Sequence, residues 1–214
     1  MSEEKLSNKT LFTRPFNGAN PVTVLVLGIC SALGVTVQLA PAIVMALSVT
    51  IVTGLSSCII SALRNTIPNR IRIIVQLVVV ATLVILVNEI LKAYMYGVSK
   101  QLSVFVGLII TNCIIMGRIE AFALGNKPLP SLIDGFGNGL AYGMILVIVA
   151  FFRELLGSGT LFGLRVIPQS WYAADGGFYF NNGLMILPPM ALIVLGCIVW
   201  VHRGIVNKEL QDKD

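Results

Sequence analysis

"LGICSALG" (27–34) and "TNCIIMGR" (111–118) decide how this chain is read. Each sets a cysteine four residues before a glycine inside an apolar run, and the two cysteines, Cys30 and Cys113, lie 83 positions apart. The same offset carries Gly34 onto Gly117 and Gly54 onto Gly137, so an outline recurs once along the 214 residues. The runs that contain it are of membrane length. With 56% hydrophobic and 12% charged residues and a mean hydropathy of +0.88, the chain has too little charge to cover a water-facing surface, so lipid is its solvent.

A crossing needs about 20 apolar residues, or about 17 when short. Six charge-free runs qualify: roughly 21–39, 42–63, 73–88, 102–117, 135–152 and 184–201. The opening "MSEEKLSNKTLFTRP" is polar, with no apolar core before a small-residue cleavage site, so the first span is expected to act as the insertion signal. The organisation is then a cytoplasmic segment 1–20, a membrane domain 21–203 and a cytoplasmic tail 204–214. Pro41, Pro68, Pro128, Pro130, Gly157, Gly159 and Pro168 punctuate the spans as turn signals. The boundary "NEILKAYMYGVSKQ" (88–101) is the softest, since Tyr94 and Tyr96 can carry the third helix into an interfacial aromatic belt.

Six spans put both termini on one side, and that side holds 11 of the 15 Lys and Arg. The other holds Lys92, Lys100, Arg153 and Arg165, so the positive-inside rule places the termini in the cytoplasm. The net charge of +5 is thereby a matter of topology and anionic lipid headgroups, with no nucleic acid needed. The outer stretch 153–183 reads as an interfacial loop, with Trp171, Tyr172, Phe178, Tyr179 and Phe180 near the headgroups, or as a docking surface for another subunit.

Each half holds three spans. Three is odd, so the second half enters the membrane upside down relative to the first. The fold class expected is therefore an all-α polytopic membrane protein, six transmembrane helices arranged as two inverted three-helix repeats (about 21–98 and 99–203) with short, interrupted helices 1 and 4. Sites in such folds gather at mid-membrane on paired interrupted helices. Gly28 and Gly34 interrupt span one; Gly107 and Gly117 bound span four, with Asn112 inside it.

Cys58 and Cys197 have no partner under the 83-residue offset and read as small apolar fillers. Cys30 and Cys113 fall near the middle of their short helices. No C-x-x-C spacing is present, and a disulfide at bilayer depth is not expected. The residues alone leave two readings open for this pair: packing thiols, or metal ligands. An iron–sulfur centre normally takes four cysteine sulfurs, so the second reading demands two more from a partner subunit, with backbone N–H groups of the interrupted helices facing the negative charge. Asn112 is then a donor to sulfur, or a plain interhelical hydrogen-bonding residue. Arg118 reads as a topology anchor that snorkels to the cytoplasmic interface, with Glu120 as a partner. Asp134 and the Arg153–Glu154 pair take interfacial places at span ends. The spans lack acidic, basic and histidine residues, which leaves no buried-carboxylate ion path, and no G-x-G-x-x-G opens a nucleotide domain. An electron-carrying subunit, a small inverted-repeat transporter and a scaffold without a redox group remain in competition.

"SKQLSVFVGLIITNCIIMGRIEAFA" (99–123), with "VLGICSALGVT" (26–36), "PSLIDGFGNGLAYG" (130–143), "FFRELLGSGTLFG" (151–163) and "NGLMILPP" (182–189), closely resembles the family of homologous membrane subunits shared by bacterial sodium-translocating NADH:quinone reductases and Rnf electron-transport complexes. The resemblance runs from roughly 20 to 203. "GICSALGVT" and "GNGLAYG" look more like the quinone-reductase type, with the E-type Rnf subunit of a ferredoxin:NAD pathway as the alternative. The resemblance implies a D-type subunit paired antiparallel with a homologous E-type subunit, inside a six-subunit complex of the bacterial inner membrane. It implies a 2Fe–2S centre at mid-membrane with two cysteines from each subunit, which here are Cys30 and Cys113. NADH, FAD, FMN and quinone are then held by other subunits. Electrons pass from the NADH side across the membrane to flavin, coupled to sodium export, and this chain carries no catalytic residue of its own.

Overall fold

The computed structural model describes residues 8–17, 20–68, 70–94, 106–161, 164–165 and 186–211. In chain order they form α1 (Asn8–Asn17), α2 (Ile29–Val35), α3 (Leu39–Leu63), α4 (Arg72–Tyr94), α5 (Val106–Ile110), α6 (Cys113–Arg118, continued by a π-type turn, Ile119–Ala123), α7 (Pro128–Ser158) and α8 (Pro188–Gln211). A two-residue antiparallel pairing of Thr160–Leu161 with Leu164–Arg165 follows α7. Among the described residues four helices, α3, α4, α7 and α8, are long and apolar enough to cross a membrane. The chain is a helical, multi-pass membrane protein.

Spans one and four are not continuous helices, in keeping with the interruptions expected of them, so among the described residues only the four long helices cross as single elements. Residues 21–25 form turns, Val26 and Gly28 adopt left-handed φ values of 56° and 83°, and only Ile29–Val35 is helical. In the other half, Asn112 takes an extended conformation (φ −66°, ψ 122°) between α5 and α6. Breaks of this kind are tolerated at membrane depth only where protein satisfies the freed backbone groups. Here Asn20 and Asn112 are buried and bond neighbouring N–H groups: Asn20 Oδ1 accepts from Val22 at 3.0 Å, and Asn112 Oδ1 from Ile114 at 3.1 Å.

The long helices exceed their expected bounds. Pro128 and Pro130 lie in the first turn of α7, and Pro41 in that of α3, where a proline's missing N–H costs no intrahelical bond. Gly157 is helical, and the left-handed Gly159 (φ 64°) ends α7. α4 runs past residue 88 to Tyr94, its last described residue, the extension that the aromatic pair allowed. Tyr96 and the aromatic residues of 171–180 lie outside the described residues.

The core is the seam between α3 and α7. A Cβ on Gly139 would stand 2.6 Å from Thr50 Cα, one on Gly135 2.8 Å from the Thr53 carbonyl oxygen, and one on Gly143 2.9 Å from Ala46 Cβ. Glycine every fourth residue lets the two backbones touch, the small-residue packing that membranes favour because lipid supplies no hydrophobic drive between helices. Polar side chains at this seam stay bonded to their own helix, Thr50 Oγ1 to Ala46 O at 2.7 Å and Thr53 Oγ1 to Val49 O at 2.6 Å. The contacts step down α3 as they step up α7, so the helices run antiparallel. Of the two glycines matched by the 83-residue offset, Gly54 meets the Phe136 ring, while Gly137 faces Phe12 and Pro15 of α1. By contrast, α4 and α8 turn much of their apolar surface outward, with Ile73 at 62% and Trp200 at 78% exposure.

Candidate functional site

The two interrupted segments meet beside α7. Asn112 Nδ2 donates to Ser31 Oγ at 3.1 Å, across 81 residues of sequence, and Ser31 Oγ donates to the Gly28 carbonyl at 3.1 Å. Tyr142, from the middle of α7, closes the cluster through a short hydroxyl contact with Ser31. Asn112, Ser31 and Tyr142 are 3%, 2% and 1% exposed, so water does not compete for these bonds. Gly28 is required here. Its φ of 83° disfavours any L side chain, and a Cβ would sit 2.7 Å from Tyr142 Cε2 and 3.0 Å from Ile114 Cδ1.

Cys30 is the second residue of α2 and Cys113 the first of α6. They therefore occupy the opening turns, not the helix middles expected from the span lengths. The first N–H groups of a helix have no intrahelical partner, so the opening turn places donors where a negatively charged group is best received. Both thiols are free; Cys30 is exposed on this chain and Cys113 half-buried. Among the described residues no three His, Cys, Asp or Glu side chains converge. Two soft sulfur donors, one of them facing outward, suit an iron–sulfur group that other ligands complete from outside the chain.

The other residues singled out by the sequence resolve differently. Cys58 is half-buried in α3, whereas Cys197 is exposed on α8 and fills no space within this chain. Arg118 does not snorkel alone or pair with Glu120. It holds Asp134 in a two-pronged bond, Nε to Oδ2 at 3.0 Å and an Nη to Oδ1 at 2.5 Å, with Asn138 Nδ2 donating to the same carboxylate at 3.1 Å. Glu120 takes Arg72 and Gln76 instead. Arg153 and Glu154 stand near the end of α7, as a span-end position requires, but are buried in protein. Arg153, 1% exposed, donates to Thr36 Oγ1 at 2.6 Å, the Leu33 carbonyl at 3.3 Å and the Ile186 carbonyl at 2.8 Å, capping the C-terminal end of α2. Glu154 accepts the Leu39 N–H at 2.6 Å at the start of α3. α7 thus carries three buried charged residues that the charge-free spans excluded. Ser31 and Tyr142 cannot be found by spacing, because hydrogen bonds between distant segments leave no periodic signal; Asn112 is visible as a capping residue in an apolar run.

Residues 8–199 match the family described as "Rnf-Nqr subunit, membrane protein". The chain is 54% identical to the D subunit of the Na(+)-translocating NADH-quinone reductase of Photobacterium profundum over 214 residues, covering 100% of both chains. It is 53% identical to the proteins of the same name from Aeromonas hydrophila and Aeromonas salmonicida, covering 99% of each chain.

Proposed function

Because this chain belongs to the Rnf-Nqr family of membrane subunits, we propose that it is the D-type membrane subunit of a sodium-translocating NADH:quinone reductase, holding half of an iron–sulfur site. The observation that carries the reading is the Ser31–Asn112 bond, which joins the two half-helices that Cys30 and Cys113 open. Full-length similarity to relatives that bear the D-subunit name supports the complex and the coupling to sodium. A homologous E-type subunit then supplies the other two sulfurs, within a six-subunit assembly of the bacterial inner membrane whose other members hold NADH, FAD, FMN and quinone. When bound, a 2Fe–2S group supplies a one-electron relay at mid-membrane between the NADH side and flavin.

The residues of this chain have defined tasks in that scheme. Cys30 and Cys113 present sulfur toward the partner, and thiolate is the form that ligates. Gly28 lets the chain turn into α2 against Tyr142, and Gly117 admits the Leu27 side chain, whose Cδ1 would lie 3.0 Å from a Cβ there. Ile114 and Ile115, both 0% exposed, exclude water behind Cys113.

The test is iron and acid-labile sulfide per purified complex. Cys30→Ser and Cys113→Ser are expected to lose the iron of this centre and to stop electron flow beyond the NADH-side groups, while Cys58→Ser and Cys197→Ser do neither. Wild-type iron with normal flavin reduction in Cys113→Ser overturns the reading in favour of a transporter or scaffold.

A further inference from the structure

The bonded residues of the buried cluster are chain neighbours of the two thiols: Ser31 follows Cys30, and Asn112 precedes Cys113. Anything that shifts the Ser31–Asn112 bond therefore moves both sulfurs. α2 has 7 residues and α6 has 6, too few for either to hold its own place by helix formation. Tyr142 belongs to the 31-residue α7, which is clamped along its glycine seam to α3. The long, clamped helix meets the short ones at three places, the Arg118–Asp134 pair, Arg153 at the end of α2 and the Tyr142 phenol, and of these only the phenol bonds a residue next to a cysteine.

The proton assignments follow from donor counting. Asn112 Nδ2 can only donate, so Ser31 Oγ accepts from it. Ser31 gives its own proton to the Gly28 carbonyl at 3.1 Å, leaving the phenol to donate to Ser31; the Gly28 carbonyl, at 3.4 Å from Tyr142 Oη, is the weaker acceptor. Both hydroxyl protons then have an acceptor, in a pocket closed to water. The ring edge also abuts Gly28, so Tyr142 sets both the bond and the approach distance of α2.

We propose that Tyr142, acting through Ser31 and Asn112, is a positioning residue that sets the relative placement of Cys30 and Cys113 and thereby the geometry and redox potential of the centre they hold. This rests on the reading of the two cysteines as iron ligands.

The experiment compares Tyr142→Phe and Ser31→Ala in the assembled complex with wild type and with Met144→Leu, an exposed change on the same helix. Iron and sulfide are assayed, and paramagnetic resonance of the dithionite-reduced complex is recorded across a redox titration, with the Cys113→Ser spectrum subtracted to isolate this centre. Phenylalanine keeps the ring and its packing and deletes only the hydroxyl. The expected result is full iron with displaced g-values and a shifted midpoint potential in Tyr142→Phe and Ser31→Ala, and wild-type behaviour in Met144→Leu. A wild-type spectrum and potential at full iron in Tyr142→Phe overturns the positioning role while leaving the iron reading intact. Iron that is unchanged in both Cys30→Ser and Cys113→Ser overturns the iron reading, and this proposal with it.

Discussion

At the scale of single residues, Gly28 is the position where backbone and packing make the same demand. Its left-handed φ costs a residue with a Cβ about 1–3 kcal/mol, and the added carbon meets the Tyr142 ring at 2.7 Å and Ile114 at 3.0 Å. Gly28→Ala is expected to lower the thermal stability of the purified complex and reduce its iron, whereas Gly107→Ala, which would meet nothing within 4 Å, leaves both unchanged. Equal melting temperatures for the two variants would refute the steric argument. The cysteine pair is legible in the sequence because a recurrence of spacing marks it. The left-handed turn is only half legible: Gly28 is a visible interruption, but its φ follows from how Tyr142 and Ile114 close around it. Cys197 misleads in the other direction, since a thiol on an apolar helix has the same pattern whether it faces protein or the outside.

At the scale of elements, composition locates α3, α4, α7 and α8 because long apolar runs leave few alternatives. In 21–39 and 102–117 the glycines announce an interruption, but the flanking residues are equally apolar and the break points, before Ile29 and at Asn112, are not marked by composition. It also ends α7 too early, because a charged residue in the sequence looks like the membrane interface whether or not it has a buried partner. α7 retains Asp134, Arg153 and Glu154 by giving each a bonded partner, the condition on which buried charge is tolerated. Arg118 and Asp134, with side chains 16% and 7% exposed, tie α6 to α7. Removing one member of a buried pair strands the other and costs about 3–5 kcal/mol, far more than an exposed pair is worth. Asp134→Ala is therefore expected to abolish assembly of the subunit into the complex, and the double change Asp134→Ala with Arg118→Leu to recover a measurable part of it. Assembly of Asp134→Ala at the wild-type level, judged by co-purification, would show that the pair contributes little.

Across the whole molecule, the contacts Ala46–Gly143, Thr50–Gly139 and Gly54–Gly135 place Thr53 opposite Phe136, two positions separated by the same 83 residues as Cys30 and Cys113. A two-fold rotation between halves produces this register, because it exchanges equivalent residues at the crossing of two antiparallel helices. It supports the proposed inverted repeat and fixes which ends share a side. The C-terminal ends of α3 and α6 then lie together, and the start of α3 lies with the end of α7, as the Leu39–Glu154 bond requires. Withdrawing the paired Arg118 and the buried Arg153 from the charge count leaves the Lys and Arg excess on the side of the termini. That side is predicted to be cytoplasmic. Lys127, just before α7, and Lys92, near the end of α4, belong to opposite faces in this arrangement. In a chain with Cys58 and Cys197 changed to serine, a membrane-impermeant maleimide applied to intact spheroplasts is expected to label Lys92→Cys and spare Lys127→Cys, with the order reversed in inside-out vesicles. Labelling of both from one side would remove the antiparallel arrangement of the halves, and reversal of the order would invert the orientation while keeping the fold.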